Sequence, residues 1–374
     1  MNIHLLAILG SLGTCTTNQY RPICIFTFTY RVWASIRAKQ CLRFLEGLVP
    51  HTLLGNIPGK SPKQLWFHIQ QAIEYSYAQG AEIAGCVVDI VKCFNVLPRE
   101  PLLSLAKLLG FPTEVLVPWE SALTQMTRRF QVRGSTGRAI NSSCGFPEGC
   151  PLSVVGMVLC NIIGEVYMIC KNPKIQTWSF VDNLETVAKC AAEALQSMED
   201  LAEFCSLLGL QLDANKSYVW CNTPDGRKLI RDHNQIGKLF ARDLGGHLNY
   251  SKLRTNCTLQ DKIAQFVPFW NRLCRSFAAA SQKERALVVS AWPNLFYGIC
   301  TVSLGNAHFE KLRTSACRSL NLTQNGVNPM LQLSCVGNPK ADPEYYCLFT
   351  TVMSFRDCHC EDMTEFVMDQ LIQG

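Results

Sequence analysis

Several features that would settle a class are missing from this 374-residue chain. Charge is scarce. Asp, Glu, Lys and Arg make up 17 % of the residues against 48 % hydrophobic, which excludes wholesale disorder and leaves material for a large core. Residues 1–20 hold no Lys or Arg, so apolar Leu5 to Leu12 lacks the basic leader of a signal peptide. We read it as a buried element of a domain that begins upstream of Met1. No apolar run is unbroken enough for a membrane span. The longest, Val154 to Cys170, is interrupted by Asn161, Gly164 and Glu165 and predicts a buried core helix. Paired C-x-x-C spacing is absent, which removes the common zinc modules. Gly55-Asn56-Ile57-Pro58-Gly59-Lys60-Ser61 lacks the G-x-x-x-x-G-K spacing, so it is no Walker loop. There is no internal repeat.

What is abundant is cysteine, 20 in all. Most stand inside apolar runs, as Cys86, Cys93, Cys160, Cys170 and Cys205 do, and read as small buried hydrophobes. A reducing intracellular compartment, nucleus or cytoplasm, fits that usage. Cys358-His359-Cys360 is the one metal-like cluster, with spacing tighter than ligand pairs use. Net charge is +6, and the excess is local. Up to residue 99, nine Lys/Arg stand against four acids, Glu46, Glu74, Glu82 and Asp89. A basic N-terminal third suits a polyanion; an ordinary solvated surface is the other reading.

Along the chain, Tyr20 to Phe26 predicts a strand and Tyr30 to Gln40 an amphipathic helix with a basic face. Ser61 to Tyr77 follows as a helix and Glu82 to Val91 as a strand ending near Asp89. Pro101 to Leu109 and Val115 to Met126 read as helices. Arg128 to Ile140 is a basic hairpin around Gly134-Ser135-Thr136-Gly137. Gly145 to Ser153 is a Gly/Pro loop leading into the long apolar helix. Ser179-Phe180-Val181-Asp182-Asn183-Leu184-Glu185 predicts a second hairpin, with Asp182-Asn183 at its turn. Glu193 to Leu208 is helical, and from Asn249 onward helices with isolated aromatics dominate.

An Asp-Asn pair in a turn is by itself only a turn. Asp89 at the end of an upstream strand changes that reading. Two strand-end carboxylates on neighbouring strands are what nucleotidyl transfer needs to hold divalent ions. Taken in order, the Asp89 strand, the Gly145-Phe146-Pro147-Glu148-Gly149-Cys150-Pro151-Leu152-Ser153 loop and the Asp182-Asn183 hairpin resemble the palm of a reverse transcriptase. Tyr20-Arg21-Pro22-Ile23 and the helix after it resemble the fingers of the non-LTR, LINE-like kind.

The resemblance covers about residues 20–250 and carries several expectations. It implies an α+β right-hand polymerase fold with an antiparallel-sheet palm and a helical C-terminal region. Fingers would take residues 1–84, palm 85–248 and a thumb-like region 249–374. Asp89 and Asp182, with the Ile90 carbonyl, would hold Mg2+, with Mn2+ as the alternative ion. Asn183 would complete the catalytic turn, and Lys216 in Gly209 to Ser217 would act as general acid toward pyrophosphate. Arg21 would meet the triphosphate, and Phe94 would block a ribose 2′-hydroxyl. Pro147, Glu148 and Gly149 would line the nucleotide and template pocket. Leu244 and Gly245 would grip the primer. The implied partners are an RNA template, a DNA primer and deoxynucleoside triphosphates, with no membrane.

Four positions depart from the family pattern. Asn183 stands where a second aspartate is usual, and Glu148 where Gln is usual. No fingers lysine precedes Arg21, and Asp243 replaces an aromatic beside Leu244. There is no RNase H acid set, endonuclease domain or gag-like zinc knuckle. RNA-directed DNA synthesis is the expected activity. The alternatives are a degenerate polymerase that binds nucleic acid without extending it and, against Phe94, an RNA-dependent RNA polymerase.

Overall fold

The computed structural model describes residues 2–9, 20–132, 135–252, 255–302, 304–322, 327–335 and 338–360; of 2–9, 20–22, 132, 359 and 360 it describes the backbone alone. The chain divides into two compact units, Met1–Ser61 with Glu82–Gly237, and Pro62–Ala81 with Lys238–Gly374.

The chain begins with β1 (Asn2–Leu9), β2 (Tyr20–Ile25) and α1 (Phe28–Glu46), all in the first unit. Helix α2 (Pro62–Gln79) belongs to the second. The first unit resumes with β3 (Ala84–Asp89), α3 (Cys93–Val96), α4 (Arg99–Leu108), α5 (Thr113–Thr124), β4 (Thr127–Val132) and β5 (Ser135–Asn141). Then come α6 (Ser153–Lys171), β6 (Gln176–Phe180), β7 (Asn183–Ala188), α7 (Ala191–Leu207), β8 (Tyr218–Cys221), α8 (Pro224–Asp232) and the two-residue β9 (Gly237–Lys238). The second unit continues with β10 (Phe240–Asp243), β11 (Gly246–Asn249), α9 (Cys257–Gln265), α10 (Val267–Arg275), α11 (Ala280–Ala286), α12 (Trp292–Leu295), α13 (Asn306–Ser319), α14 (Pro329–Ser334) and α15 (Pro343–Cys360).

Two sheets carry the first unit. One has the order β2-β1-β4-β5, with β1 parallel to β4. The other has the order β6-β7-β3-β8-β9, and β3 pairs antiparallel with both β7 and β8. The apolar run Ala84-Gly85-Cys86-Val87-Val88 is buried throughout, as a strand with partners on both edges must be. Helices α6 and α7 pack on this sheet and on each other. Helix α6 is long and apolar enough to cross a membrane by length and composition, yet Val155, Met157, Val158 and Leu159 are fully buried in the core. The described cysteines are free thiols, and most are buried.

The second unit has its own core, built on aromatics. Trp270 packs on Trp292, Trp292 stacks on Phe296, and Phe296 meets Tyr346. Arg313, almost fully buried, is neutralised there by Asp342, Glu310 and Glu344. Cys358 is buried on α15; the side chains of His359 and Cys360 lie outside the described residues. Among the described residues no group of three metal-ligating side chains forms.

Two hairpins pair otherwise than turn chemistry favours. Phe180 pairs with Asn183, so the connecting pair is Val181-Asp182 and Asn183 is already the first residue of β7. Pairing decides this, because Asn183 also faces Asp89 across the sheet. In the basic hairpin Val132 pairs with Ser135, so Ser135, Thr136 and Gly137 belong to β5 and not to the turn expected there; residues 133–134 lie outside those described.

Candidate active site

Asp89 ends β3 where one of its neighbours stops. β8 pairs with β3 from Ala84 to Val87, whereas β7 continues to Asp89. That register sets Asp89 opposite Asn183, with Asp182 next to it in the two-residue turn. The thiol of Cys93, at the start of α3, feels both acids. Burial raises its pKa first, then Cys160, with Asp182 and Asp89 adding to the effect.

Residues 211–217 are stitched to the same strand end. Asp213 N donates to Asp89 O at 2.8 Å, and Val91 N donates to Gln211 O at 2.8 Å. Asp89 N donates to Ser217 Oγ at 3.2 Å. This ladder uses the carbonyl of Asp89 and the amide of Val91, so the Ile90 carbonyl takes no part in it. It delivers Lys216 to the site. Its Nζ lies 2.9 Å from Asp89 Oδ1 and 3.5 Å from Asp213 Oδ2. The Asp89 side chain is 14 % exposed and that of Lys216 58 %, so the pair sits at a mouth open to solvent. The hydrogen bond to Asp89 is the largest cause of a raised Lys216 pKa.

Phe94 and the Gly/Pro loop form a second cluster. Lys92 takes a left-handed backbone, φ 47°, which turns the chain into α3. Phe146 N donates to Phe94 O at 2.7 Å, and Gly145 N to Leu97 O at 2.9 Å. Phe94 is half-buried, its ring against the core. Asn95 Nδ2 donates to Glu148 Oε1 at 2.6 Å. The Glu148 carbonyl accepts from Cys24 N on β2 at 2.7 Å. Gly149 is required there. Its φ is +100°, and a Cβ would lie 2.6 Å from Cys24 O. Arg21 lies on β2 opposite Ile8, and its side chain is outside the described residues. Phe94, Pro147, Glu148 and Gly149 are thus brought together beside β2, just downstream of the Asp89 strand end.

Leu244 and Gly245 form the turn of the β10–β11 hairpin in the second unit, both with positive φ, 44° and 87°. Asp243, which the family pattern fills with an aromatic, is buried and accepts from Trp66 Nε1 at 3.0 Å. Lys262 Nζ donates to Gly245 O at 2.8 Å.

The profile of the family described as reverse transcriptase (RNA-dependent DNA polymerase) matches residues 13–257. The chain belongs to the reverse transcriptase family. Among solved structures it is similar to apo telomerase from Candida tropicalis, at 10 % identity and a TM-score of 0.50, covering 99 % of this chain and 69 % of that one. It is also similar to telomerase from Candida tropicalis in complex with a TWJ fragment of telomeric RNA, at 12 % identity and TM-score 0.50, covering 97 % of this chain and 62 % of that one. The corresponding complex from Candida albicans gives 10 % identity and TM-score 0.50, covering 98 % and 64 %. The reverse transcriptase chain thus spans about two thirds of the length of these telomerases, and a little over half, 53 %, of a C-terminally truncated one. At such identity the likeness is one of fold, the right-hand polymerase fold. A comparison with curated protein sequences finds no match.

Motif reading missed several residues around the Val181-Asp182 turn of this reverse transcriptase domain. Val181 has φ +57°, a left-handed backbone at which glycine is favoured. A β-branched residue there carries backbone strain of about 1–3 kcal/mol. Buried Asn161 on α6 donates to the Val181 carbonyl at 3.0 Å. Residues 52–55 run along the outer edge of β6, with Leu54 N donating to Ser179 O at 2.9 Å and Ser179 N to Thr52 O at 3.1 Å. Gly55 lies directly under the turn, where a Cβ would come 2.2 Å from Val181 N. Glu165, one helical turn after Asn161, accepts from Thr52 Oγ1 at 2.7 Å and Ser179 Oγ at 2.6 Å. Burial lifts its pKa from 4.5 to about 7 against the effect of both hydroxyls. The loop at 142–145 is held by Arg99, whose guanidinium donates to the carbonyls of Ser142, Cys144 and Gly145.

Proposed function

We propose that this domain extends a DNA primer on an RNA template with deoxynucleoside triphosphates, in the manner of a LINE-like retroelement polymerase. The observation that carries the reading is the Asp89–Asn183 register, which joins two acid-bearing strand ends into one mouth. Asp89, Asp182 and the Ile90 carbonyl are an oxygen-only donor set, which fits a hard divalent ion such as Mg2+. Among the described residues no third metal-ligating side chain joins them. Positions on the ion are therefore left for substrate oxygens and water. When bound, the ions supply charge stabilisation at the attacking and leaving oxygens.

The chain's own residues do the rest. Lys216 keeps a proton at Nζ beside Asp89 and is placed to meet the negative leaving group. Phe94 closes the floor beside the Pro147-Glu148-Gly149 loop, where a 2′-hydroxyl would clash. Arg21 on β2 and the backbone after Asp89 take the triphosphate, and Leu244-Gly245 grips the primer end. The division into fingers, palm and thumb belongs to the same proposal. The likeness to telomerase bound to an RNA fragment supports an RNA partner.

Asn183 favours a second reading, a polymerase fold that binds nucleic acid and no longer extends it. An amide there removes one of the charges that would offset the ions. The test is single-nucleotide incorporation on RNA and DNA templates, with Mg2+ and Mn2+ compared and dNTPs set against NTPs. Incorporation of dNTPs on RNA supports the proposal. Duplex binding without incorporation in either metal selects the second reading, and a preference for NTPs selects an RNA polymerase.

A further inference from the structure

We propose that Asn161 and Glu165, one helical turn apart on α6, are positioning residues that hold the Val181-Asp182 turn in its strained conformation and so aim the Asp182 carboxylate. The effect on catalysis rests on the polymerase reading; the holding of the turn does not.

Beyond Ser153 at its first position, helix α6 is otherwise apolar on its buried face. Asn161 and Glu165 are each 1 % exposed, between Leu159, Cys160 and Met168. Polar groups placed so deep cost stability unless every one is bonded, and leucine at either position would avoid that cost. Both are bonded, and each has a bond to the segment that carries Asp182. Asn161 bonds the first residue of the turn itself. Glu165 ties Ser179, three residues before Asp182, to Thr52 on the outer edge strip. The strip holds Ser179 from the other side through its own backbone bonds, and Gly55 leaves room for the Val181 amide.

The clamp opposes a definite tendency. Val181 sits at φ +57°, a region that valine avoids. Left alone, the turn would relax toward negative φ and swing the next residue, Asp182, away from Asp89. A single hydrogen bond from a buried amide to a carbonyl is worth about a fivefold shift in an equilibrium, and more when its loss leaves the carbonyl dry. That is of the same order as the strain, so the Asn161 bond decides which conformation is populated. Glu165 keeps the strand beneath from sliding when the turn is loaded.

The test uses the full chain and four proteins: wild type, Asn161→Ala, Glu165→Ala and the double variant Asn161→Ala/Val181→Gly. Hydrogen exchange of the peptide spanning 176–188 reads the clamp without any catalysis. It is expected to speed up about tenfold in both single variants, with α7 and β8 unchanged. Single-turnover incorporation reads the consequence. The rate constant is expected to fall tenfold or more in Asn161→Ala, while primer–template Kd and nucleotide KM stay within twofold. Glycine removes the strain that the clamp holds, so the double variant recovers much of the rate. A general loss of structure would not be rescued in this way. Unchanged exchange across 176–188 in Asn161→Ala overturns the proposal. So does a rate loss matched by lost duplex binding and left unrescued by Val181→Gly. If wild type extends no primer in either metal, the polymerase reading fails separately, and the exchange experiment still decides whether the pair holds the turn.

Discussion

Replacing Glu165 with glutamine should change how the stability of the domain depends on pH. The carboxyl is 1 % exposed, and its pKa rises from 4.5 to about 7, burial outweighing the bonds from Ser179 and Thr52. The folded protein therefore holds a proton that the unfolded chain releases across that interval. A raised folded pKa means that the stability contribution is complete below pH 4.5 and is lost as pH rises through 7. At about 1.4 kcal/mol per unit, the loss between pH 4.5 and 7 is about 3 kcal/mol. Glutamine resembles the protonated acid. Its Oε1 accepts from one hydroxyl and its Nε2 donates to the other, so Thr52 and Ser179 keep their partners. Urea unfolding of wild type and Glu165→Gln, with EDTA present, at half-unit steps from pH 5 to pH 8 makes the comparison. The variant should gain on wild type steadily, by about 2–3 kcal/mol over that range. Parallel curves, with a constant difference between the proteins, would refute the reasoning and mean that Glu165 stays ionised.

Asn183→Asp adds a third carboxylate to the mouth formed by Asp89 and Asp182. It should lower the unfolding midpoint by several degrees in EDTA, and magnesium should restore the loss and raise Mg2+-dependent incorporation, read by thermal scans and primer extension in both metals. Phe94→Ala should shift the ratio of dNTP to NTP specificity constants tenfold or more toward NTPs; an unchanged ratio would return Phe94 to a packing role. Lys216→Met removes the ammonium from Asp89, so Mn2+ should bind more tightly by titration while the rate of nucleotide addition falls tenfold or more. Gly55→Ala places a methyl where only 2.2 Å separates it from Val181 N, and should cost over 2 kcal/mol by urea unfolding and suppress incorporation with it.

The parts of the fold that were legible in the sequence are those whose signal is local. The run before Asp89 reads as a buried strand because five apolar or small residues precede an acid. The buried helix after Ser153 is legible because its polar interruptions are few. The pairing of the Asp182 hairpin was less legible, because turn chemistry and register disagree there. Asp and Asn are favoured in turns, and valine is disfavoured at a left-handed position, so local preference centres the turn on Asp182-Asn183. The sheet overrules it. Asn183 is claimed by both Phe180 and Asp89, and the turn shifts back by one residue onto Val181.

That override also explains why the supporting residues could not be found by motif. Asn161 and Glu165 look like blemishes in an apolar helix, and nothing within ten residues says what they bond. Their partners are 20 and 113 positions away, at Val181 and Thr52, and 14 away at Ser179. One local signal was nevertheless present. Asn161 and Glu165 are spaced i and i+4, so both lie on a single face of a helix whose remaining residues are chosen for burial. Two polar side chains sharing a buried face need polar partners nearby, and the strained turn and the strand leading into it supply them. The strain at Val181 and the polar pair on α6 are therefore two halves of one arrangement. Neither is stable without the other, and a sequence carrying only one of them would be expected to relax the turn or to replace the pair with leucine.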